Sequence, residues 1–147
     1  MPAYDECYLN GMFQKHRYLF KLIGRNRKDA FKVIMNYMNS DYRRNMDEGN
    51  PLFLNKTPKQ ILHSMNISID GNAPMSEELD EFILEWMADI YTYMQWKYNV
   101  PSGELASKLK PEDLYSKYYP LHETSVENGA EKLRIMVDNF DKVEYDI

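Results

Sequence analysis

The chain has 147 residues, a net charge of −5 at pH 7 and 44% hydrophobic residues. Its length suits a single domain, its hydrophobic share excludes a disordered chain, and it holds no apolar run of about 18 residues that could span a membrane. Cys7 is the one cysteine, so no internal disulfide can form, and the N-terminal MPAYDECYLN is too polar for a signal peptide. We therefore expect a cytoplasmic protein.

Two helices are predicted in the first third of the chain. Apolar residues recur every three or four positions over residues 4–23 and again over residues 29–38, which is the spacing of one helical face. The second helix is expected to fray or to continue through Arg43 and Arg44.

Turn residues then divide the chain. EGNPLF, residues 48–53, predicts a compact turn, because glycine permits positive φ and proline fixes its own φ. Thr57 followed by Pro58 predicts the N-cap and first residue of a short helix that ends near Met65. NISIDGNAP, residues 66–74, predicts a loop.

The longest predicted helix covers about residues 77–98, with Ser76 as its N-cap. Val100-Pro101 is expected to end it, since a residue before proline disfavours the helical conformation. Most of this segment is apolar, including Trp86 and Ile90, and a helix that is apolar around most of its circumference is usually buried on several sides. We therefore predict a central buried helix. Its polar residues form one narrow stripe: Glu78, Glu81, Glu85, Asp89, Thr92 and Gln95.

Further helices are predicted to follow it. Ser102 should cap a short helix, and Pro111 should begin another that Pro120 ends. A capping box at residues 124–127 should start the last helix, before a frayed acidic tail from about residue 141. The predicted fold is all-α, one domain over residues 1–147, with six or seven helices around the central one.

The stretch YTYMQWKY, residues 91–98, allows two interpretations. The first is a hydrophobic core, because soluble proteins rarely expose large apolar patches. The second is a partner-binding surface, because Tyr, Trp and Met are enriched at interfaces. Trp96 and Tyr98 are the candidates for the second role, since the periodicity puts Trp96 near the polar stripe.

The charges are unevenly distributed along the chain. Residues 1–60 hold 11 Lys and Arg against 6 Asp and Glu, whereas residues 61–147 hold 7 against 17. Either the two halves attract each other within one fold, or the acidic half faces a basic partner. The partner-binding hypothesis uses these residues: Glu78, Glu81, Glu85, Asp89, Trp96 and Tyr98.

The segment KHRYLFKLIGRNRK, residues 15–28, is the one candidate for contact with nucleic acid. Its phosphate-contact residues would be Lys15, Arg17, Lys21, Arg25, Arg27 and Lys28. The alternative is the solvated face of the first helix, and we favour it because no known nucleic-acid motif surrounds the segment.

No motif for catalysis or metal binding is present. The three histidines are far apart in sequence, and no HExxH, paired-cysteine, P-loop, dinucleotide or nucleophile-elbow pattern occurs. We therefore expect no metal, no cofactor and no catalysis. The alternative is an enzyme whose site assembles from scattered residues, with His122, Glu123 and His63 as candidates.

Two segments carry a family resemblance: YLNGMFQKHRYLF with DAFKVIMNYMNSDYRRNMDEGNPLFLNKTPKQI, and EWMADIYTYMQWKYNVPSGELASKLKPEDLYSKYYPLHE. They resemble small helical proteins of Firmicutes-type bacteria, some of which continue into a Xre-type helix-turn-helix domain. The residues that carry the likeness are Gly49, Asn50, Pro51, Trp86, Tyr91, Tyr93, Trp96, Tyr119, Pro120, Leu121 and His122. The resemblance transfers no catalytic residue, and here the tail VEYDI stands where those relatives continue.

The resemblance implies an antitoxin-like or regulatory partner from a bacterial or mobile-element operon. The expected function is therefore non-catalytic protein interaction through an acidic and aromatic surface. The expected partner is a toxin or regulator encoded nearby, and no membrane is expected. Nucleic acid is disfavoured and stays the alternative through residues 15–28, and homodimer formation stays open.

Overall fold

A computed structural model describes the backbone of residues 1–145 and the side chains of residues 1–137. Within this part of the chain all regular structure is helical, which confirms the all-α prediction. After a 3-10 helix at Glu6–Tyr8, the helices are α1 (Leu9–Asn26), α2 (Ala30–Met38), α3 (Asp41–Asp47), α4 (Pro51–Leu54), α5 (Pro58–Ser64), α6 (Glu81–Tyr98), α7 (Ser102–Lys108), α8 (Pro111–Ser116), α9 (Tyr118–Leu121) and α10 (Val126–Tyr145). The predicted number of helices is too low, because several are only one or two turns long.

Helix α6 is the centre of the bundle, as predicted. Helices α1, α7, α8, α9 and α10 all pack against it. Ile90 is fully buried, and Trp86 and Trp96 are each 8% exposed. The aromatic stretch 91–98 is therefore mostly core, and this core includes Trp96, which the periodicity placed near the polar stripe.

The start of α6 differs from the prediction. The helix begins at Glu81, and the Asp80 carboxylate accepts the Phe82 N–H as its N-cap. The Ser76 hydroxyl accepts the Glu78 N–H in a turn before the helix. The end agrees with the prediction: Asn99 adopts a left-handed conformation (φ 52°), which is common just after a helix.

Local signals placed the elements between α2 and α5 well. Gly49 has φ +76°, which a side chain disfavours. Thr57 caps α5 and forms a capping box with Gln60.

Two helices in this region were not predicted. Helix α3 is separate from α2 because the Ser40 hydroxyl accepts the Arg43 N–H and begins a new helix. Part of the predicted EGNPLF turn belongs to the short helix α4 (Pro51–Leu54).

Three predicted boundaries after α6 are wrong. Ser102 is the first residue of α7, and its hydroxyl binds Asp47 instead of capping the helix. Pro120 lies inside α9, where it is tolerated because first-turn N–H groups lack partners within a helix. The hydroxyl that accepts the Asn128 N–H at the start of α10 belongs to Ser125, not to Thr124.

Helix α10 continues beyond its predicted end near residue 140, to Tyr145. The fraying expected from about residue 141 stays a prediction, and Asp146 and Ile147 lie outside the described residues. Among the helices that the structure describes, none combines the length and apolar character needed to cross a bilayer.

Candidate functional site

The acidic stripe of α6 faces the basic side of α1. Three ion pairs join the helices, one for each helical turn. They are Arg17 Nε to Asp89 Oδ1 (2.5 Å), Lys21 Nζ to Glu85 Oε1 (3.2 Å) and Arg25 Nη2 to Glu81 Oε2 (3.5 Å). Each step of four residues forward on α1 is a step of four back on α6, so the helices run antiparallel. We call this set the α1–α6 ladder.

The ladder unites two groups of candidate site residues that the sequence analysis kept apart. Three of the predicted phosphate-contact cations pair with three of the predicted partner-binding carboxylates. The interpretation in which the two halves of the chain attract each other therefore describes these six residues. Burial raises the pKa of Asp89, while its bond to Arg17 opposes that effect.

The remaining charged candidates are dispersed. Lys15 donates to the Leu54 carbonyl, and Arg27 pairs with Asp29 at 2.9 Å. Lys28 and Glu78 are exposed. Neither the phosphate-contact set nor the acidic set forms one continuous exposed surface.

The two aromatic partner-binding candidates are both engaged inside the fold. The Trp96 indole N–H donates to the Tyr4 carbonyl at 2.8 Å. The Tyr98 hydroxyl donates to Glu131 at 2.9 Å, and burial together with this bond raises the pKa of Tyr98 to about 12. Tyr98 is half-buried, so it offers only part of its ring to a partner.

A buried histidine lies at the core between α1, α2 and α6. His16 Nδ1 is 2.9 Å from Thr92 Oγ1, and its Nε2 is 2.7 Å from Tyr37 Oη. Both ring nitrogens therefore have a hydrogen-bond partner, and the Tyr37 hydroxyl also lies 3.3 Å from Met46 Sδ. Burial holds the pKa of His16 well below its usual value.

Sequence analysis did not select His16, although a signal was present. His16 stands four residues after Met12 and three before Leu19, and all three positions are buried on one face of α1. Histidine at a core spacing indicates a satisfied polar core residue as readily as a ligand. The identity of its partners followed only from the packing of α1 against α2 and α6.

A buried charge pair connects α3 to α6 and α7. Arg43 is 1% exposed, and its Nη1 lies 3.1 Å from Asp47 Oδ1. Asp47 also accepts the Ser102 N–H at 2.7 Å and the Ser102 hydroxyl at 2.6 Å. Gln95 of α6 donates to the Asp47 backbone carbonyl at 3.4 Å. This arrangement fixes the position of α7, because buried charges are stable only when they are paired.

A group of aromatic rings, partly exposed, lies where α8 and α9 pack on α6. Tyr118 contacts Trp86 edge to face, with ring centroids 5.6 Å apart, and stacks on His122 at 4.2 Å. Tyr119 contacts Tyr118 at 5.4 Å, and Phe82 precedes Trp86 by one turn on the same face of α6. We call these five residues the aromatic cluster.

The aromatic cluster combines anchored rings with exposed ones. Phe82 is 66% exposed and Tyr119 is 73% exposed, whereas Trp86 beneath them is buried. Acidic side chains flank the rings in the chain: Glu78 and Asp80 precede Phe82, Glu123 follows His122, and all three are exposed. The surface is therefore both aromatic and acidic. It shares Glu78 with the stripe selected by the sequence analysis and otherwise uses different residues.

The three catalytic candidates do not form a recognisable site. His63 lies on α5, which packs on α1, whereas His122 and Glu123 follow α9, which packs on α6 and α8. His122 Nδ1 donates to the Tyr118 carbonyl at 2.8 Å. An apolar cavity of about 180 Å³ between α6, α7 and α10 is lined by other residues, including Met94 and Leu105. Within the described residues no three His, Cys, Asp or Glu side chains are grouped to hold a metal ion.

Comparisons of the chain with protein-family models, with curated proteins and with solved structures gave no match.

Proposed function

We propose that this chain is a non-catalytic protein-interaction domain that binds its partner through the aromatic cluster and the acidic residues beside it. The observation that carries the proposal is the exposure of Phe82 and Tyr119 beside the buried Trp86 and the half-buried Tyr118. Large rings exposed together on a soluble domain are typical of binding surfaces.

The cluster has the physical properties of an interface anchor. Tyr118 touches three other rings, so its position is fixed before a partner arrives. Aromatic side chains with few rotatable bonds lose little conformational entropy on binding. Tyr and Trp are also the residues that most often dominate interface energies.

The charges beside the rings favour a basic partner. Glu78, Asp80 and Glu123 are exposed, and none of them belongs to the α1–α6 ladder. A Lys or Arg of the partner placed over Tyr119 would gain a cation–π interaction with the ring. The same cation would be attracted to the flanking carboxylates.

The antitoxin-like or regulatory role is supported by the resemblance described for the sequence. Tyr119 and His122 belong both to the residues that carry that resemblance and to the aromatic cluster. The partner on this proposal is a basic toxin or regulator encoded by a neighbouring gene.

The test uses purified proteins encoded beside this gene and isothermal titration with the wild-type chain. Tyr119→Ala and Phe82→Ala should each weaken binding about 10-fold or more, as expected for anchors at the centre of an interface. Leu52→Ala is the matched control, because Leu52 is 74% exposed on α4, outside the cluster, and it should leave the affinity unchanged.

Two outcomes would contradict the proposal. In the first, no neighbouring protein binds the wild-type chain at micromolar concentrations. In the second, all three variants bind a neighbour as well as the wild type does. If the Tyr119 variant instead abolishes a concentration-dependent dimer of this chain, the surface serves self-association and the assignment to a different protein fails.

A further inference from the structure

The first five residues cross the end of α6 outside any helix. The Ala3 N–H donates to the Trp96 carbonyl at 2.8 Å, and the Trp96 indole N–H donates to the Tyr4 carbonyl at 2.8 Å. Tyr4 also packs closely on the turn after α3, where its Cβ is 3.2 Å from the position a Cβ would occupy at Gly49. We call residues 1–5 the N-terminal strap.

Polar atoms under the strap lack hydrogen-bond partners among the described residues. They are Tyr4 Oη, Arg43 Nε, Arg43 Nη1 and Gln95 Oε1. Arg43 Nη1 has only its ion pair with Asp47. The orientation of the Gln95 carboxamide is set by its Nε2, which donates to the Asp47 carbonyl, so the unpartnered atom is the acceptor.

These groups lie around one place in the fold. Burial raises the pKa of Tyr4 to about 12, and the charges of Arg43 and Asp47 act on it in opposite directions. An open cavity of about 460 Å³ beside the strap is lined by Ala3, Asp47 and Gln95, among others. Lifting the strap would therefore bring water to the unpartnered atoms together.

The unpartnered polar atoms favour opening and so oppose the two hydrogen bonds that hold the strap closed. A buried polar group without a partner disfavours the closed arrangement by a factor of about 5 or more in its equilibrium. The strap belongs to no helix, so its opening breaks no hydrogen bond within a helix.

We propose that the N-terminal strap opens independently of the helical bundle and uncovers a polar floor formed by Arg43, Asp47 and Gln95. The strap has two states, closed and open, and in the closed state the Tyr4 side chain covers the polar groups. Its residues are separate from the aromatic cluster, so the inference does not depend on the proposed function.

Hydrogen exchange followed by NMR tests the proposal on the full chain. The Trp96 indole N–H and the Ala3 amide report strap opening, and the Ile90 amide in the centre of α6 reports global unfolding. In the wild type, the Trp96 indole proton and the Ala3 amide proton should each exchange at least about 10-fold faster than global unfolding alone would allow, given the intrinsic exchange rate of each proton. The reason is that the strap opens before the bundle unfolds. Equal protection of the strap protons and the Ile90 amide would overturn the proposal.

Substitutions at Tyr4 distinguish the effect of its unpartnered hydroxyl from the effect of its ring packing. Tyr4→Phe removes the unpartnered hydroxyl but keeps the ring, so it should slow exchange of the Trp96 indole by about 5-fold or more. Tyr4→Ala removes the ring and should accelerate it. Neither variant should change exchange of the Ile90 amide beyond the shift in global stability.

Tyr42→Phe is the matched control. The Tyr42 hydroxyl also lacks a partner among the described residues, but its ring packs on Phe53 of α4, with centroids 4.9 Å apart. This variant should leave exchange of the Trp96 indole unchanged. Faster indole exchange in Tyr4→Phe, or an equal slowing in Tyr42→Phe, would show that the Tyr4 hydroxyl is not the cause.

Discussion

His16 shows how much one residue depends on its neighbours. Thr92 and Tyr37 satisfy both ring nitrogens while the ring is buried. That arrangement favours the neutral imidazole, so the pKa of His16 lies well below its value in an unfolded chain. Folding and protonation of this residue therefore oppose each other.

This opposition predicts acid sensitivity that begins near pH 6.5. Below that pH the unfolded chain binds a proton at His16 that the folded chain does not, so the free energy of unfolding should fall by roughly 1 kcal/mol per pH unit. Above about pH 6.5 the contribution is fully present. Urea unfolding between pH 7.5 and 5.5 measures the effect.

Two variants distinguish His16 from the other titrating groups. His16→Gln should flatten the pH dependence in this window, because glutamine does not titrate. His63→Gln replaces an exposed histidine and should leave the wild-type slope in place. An unchanged slope in the His16 variant would contradict the argument.

Helices α1 and α6 are joined by complementary charges. Each helix carries one charged stripe that is visible in its sequence, and the two stripes neutralise each other turn by turn. A partly exposed ion pair contributes about 0.2–1 kcal/mol, so the ladder orients the helices more than it stabilises them. Because the three cations all lie on α1 and the three carboxylates all lie on α6, the charges fix which faces meet but not the direction of either helix.

Charge reversal at the middle rung tests the ladder. Lys21→Glu and Glu85→Lys should each lower the free energy of unfolding by about 0.5–1 kcal/mol at low salt, because each places like charges together. The double variant should recover most of that loss. Urea unfolding at low salt and in 1 M NaCl measures both effects, and salt should reduce the differences.

Lys28→Glu is the control for the change in net charge. Lys28 is exposed on the loop after α1, and its reversal should change the free energy of unfolding by less than about 0.5 kcal/mol. A double variant at the middle rung that is no more stable than either single variant would contradict the pairing.

The whole molecule is organised around α6, and substitutions along this helix should differ sharply. Ile90 is fully buried, and its Cδ1 lies 3.6 Å from the point that a Cβ would occupy at Gly129 on α10. Ile90→Ala should therefore lower the free energy of unfolding by about 2–5 kcal/mol. Phe82 is exposed on the same helix, and Phe82→Ala should change it by about 0.5 kcal/mol or less.

Chemical denaturation of both variants measures this contrast. A Phe82 variant as destabilised as the Ile90 variant would mean that Phe82 belongs to the core, and the aromatic cluster would then lose one of its two exposed rings. A stable Ile90 variant would contradict the central position of α6.

The sequence by itself determined the helical class, the central helix and several boundaries. Gly49 and Pro111 act through their own backbone preferences, and Thr57 acts through bonds to a residue three positions away. Such effects are local, so the sequence is enough to predict them. The burial of Ile90 was also predictable, because the apolar pattern of residues 77–98 covers most of a helical circumference.

Only the tertiary structure decided which groups meet. Arg17 and Asp89 are 72 positions apart in the chain. Their residue types alone allowed Arg17 to bind a phosphate, Asp89 to bind a basic partner, or the two side chains to bind each other. Trp96 is buried because the N-terminal strap covers it, and Pro120 is exposed within α9 beside the aromatic cluster. Such contacts depend on how whole helices pack, and helical periodicity specifies a face without specifying what lies against it.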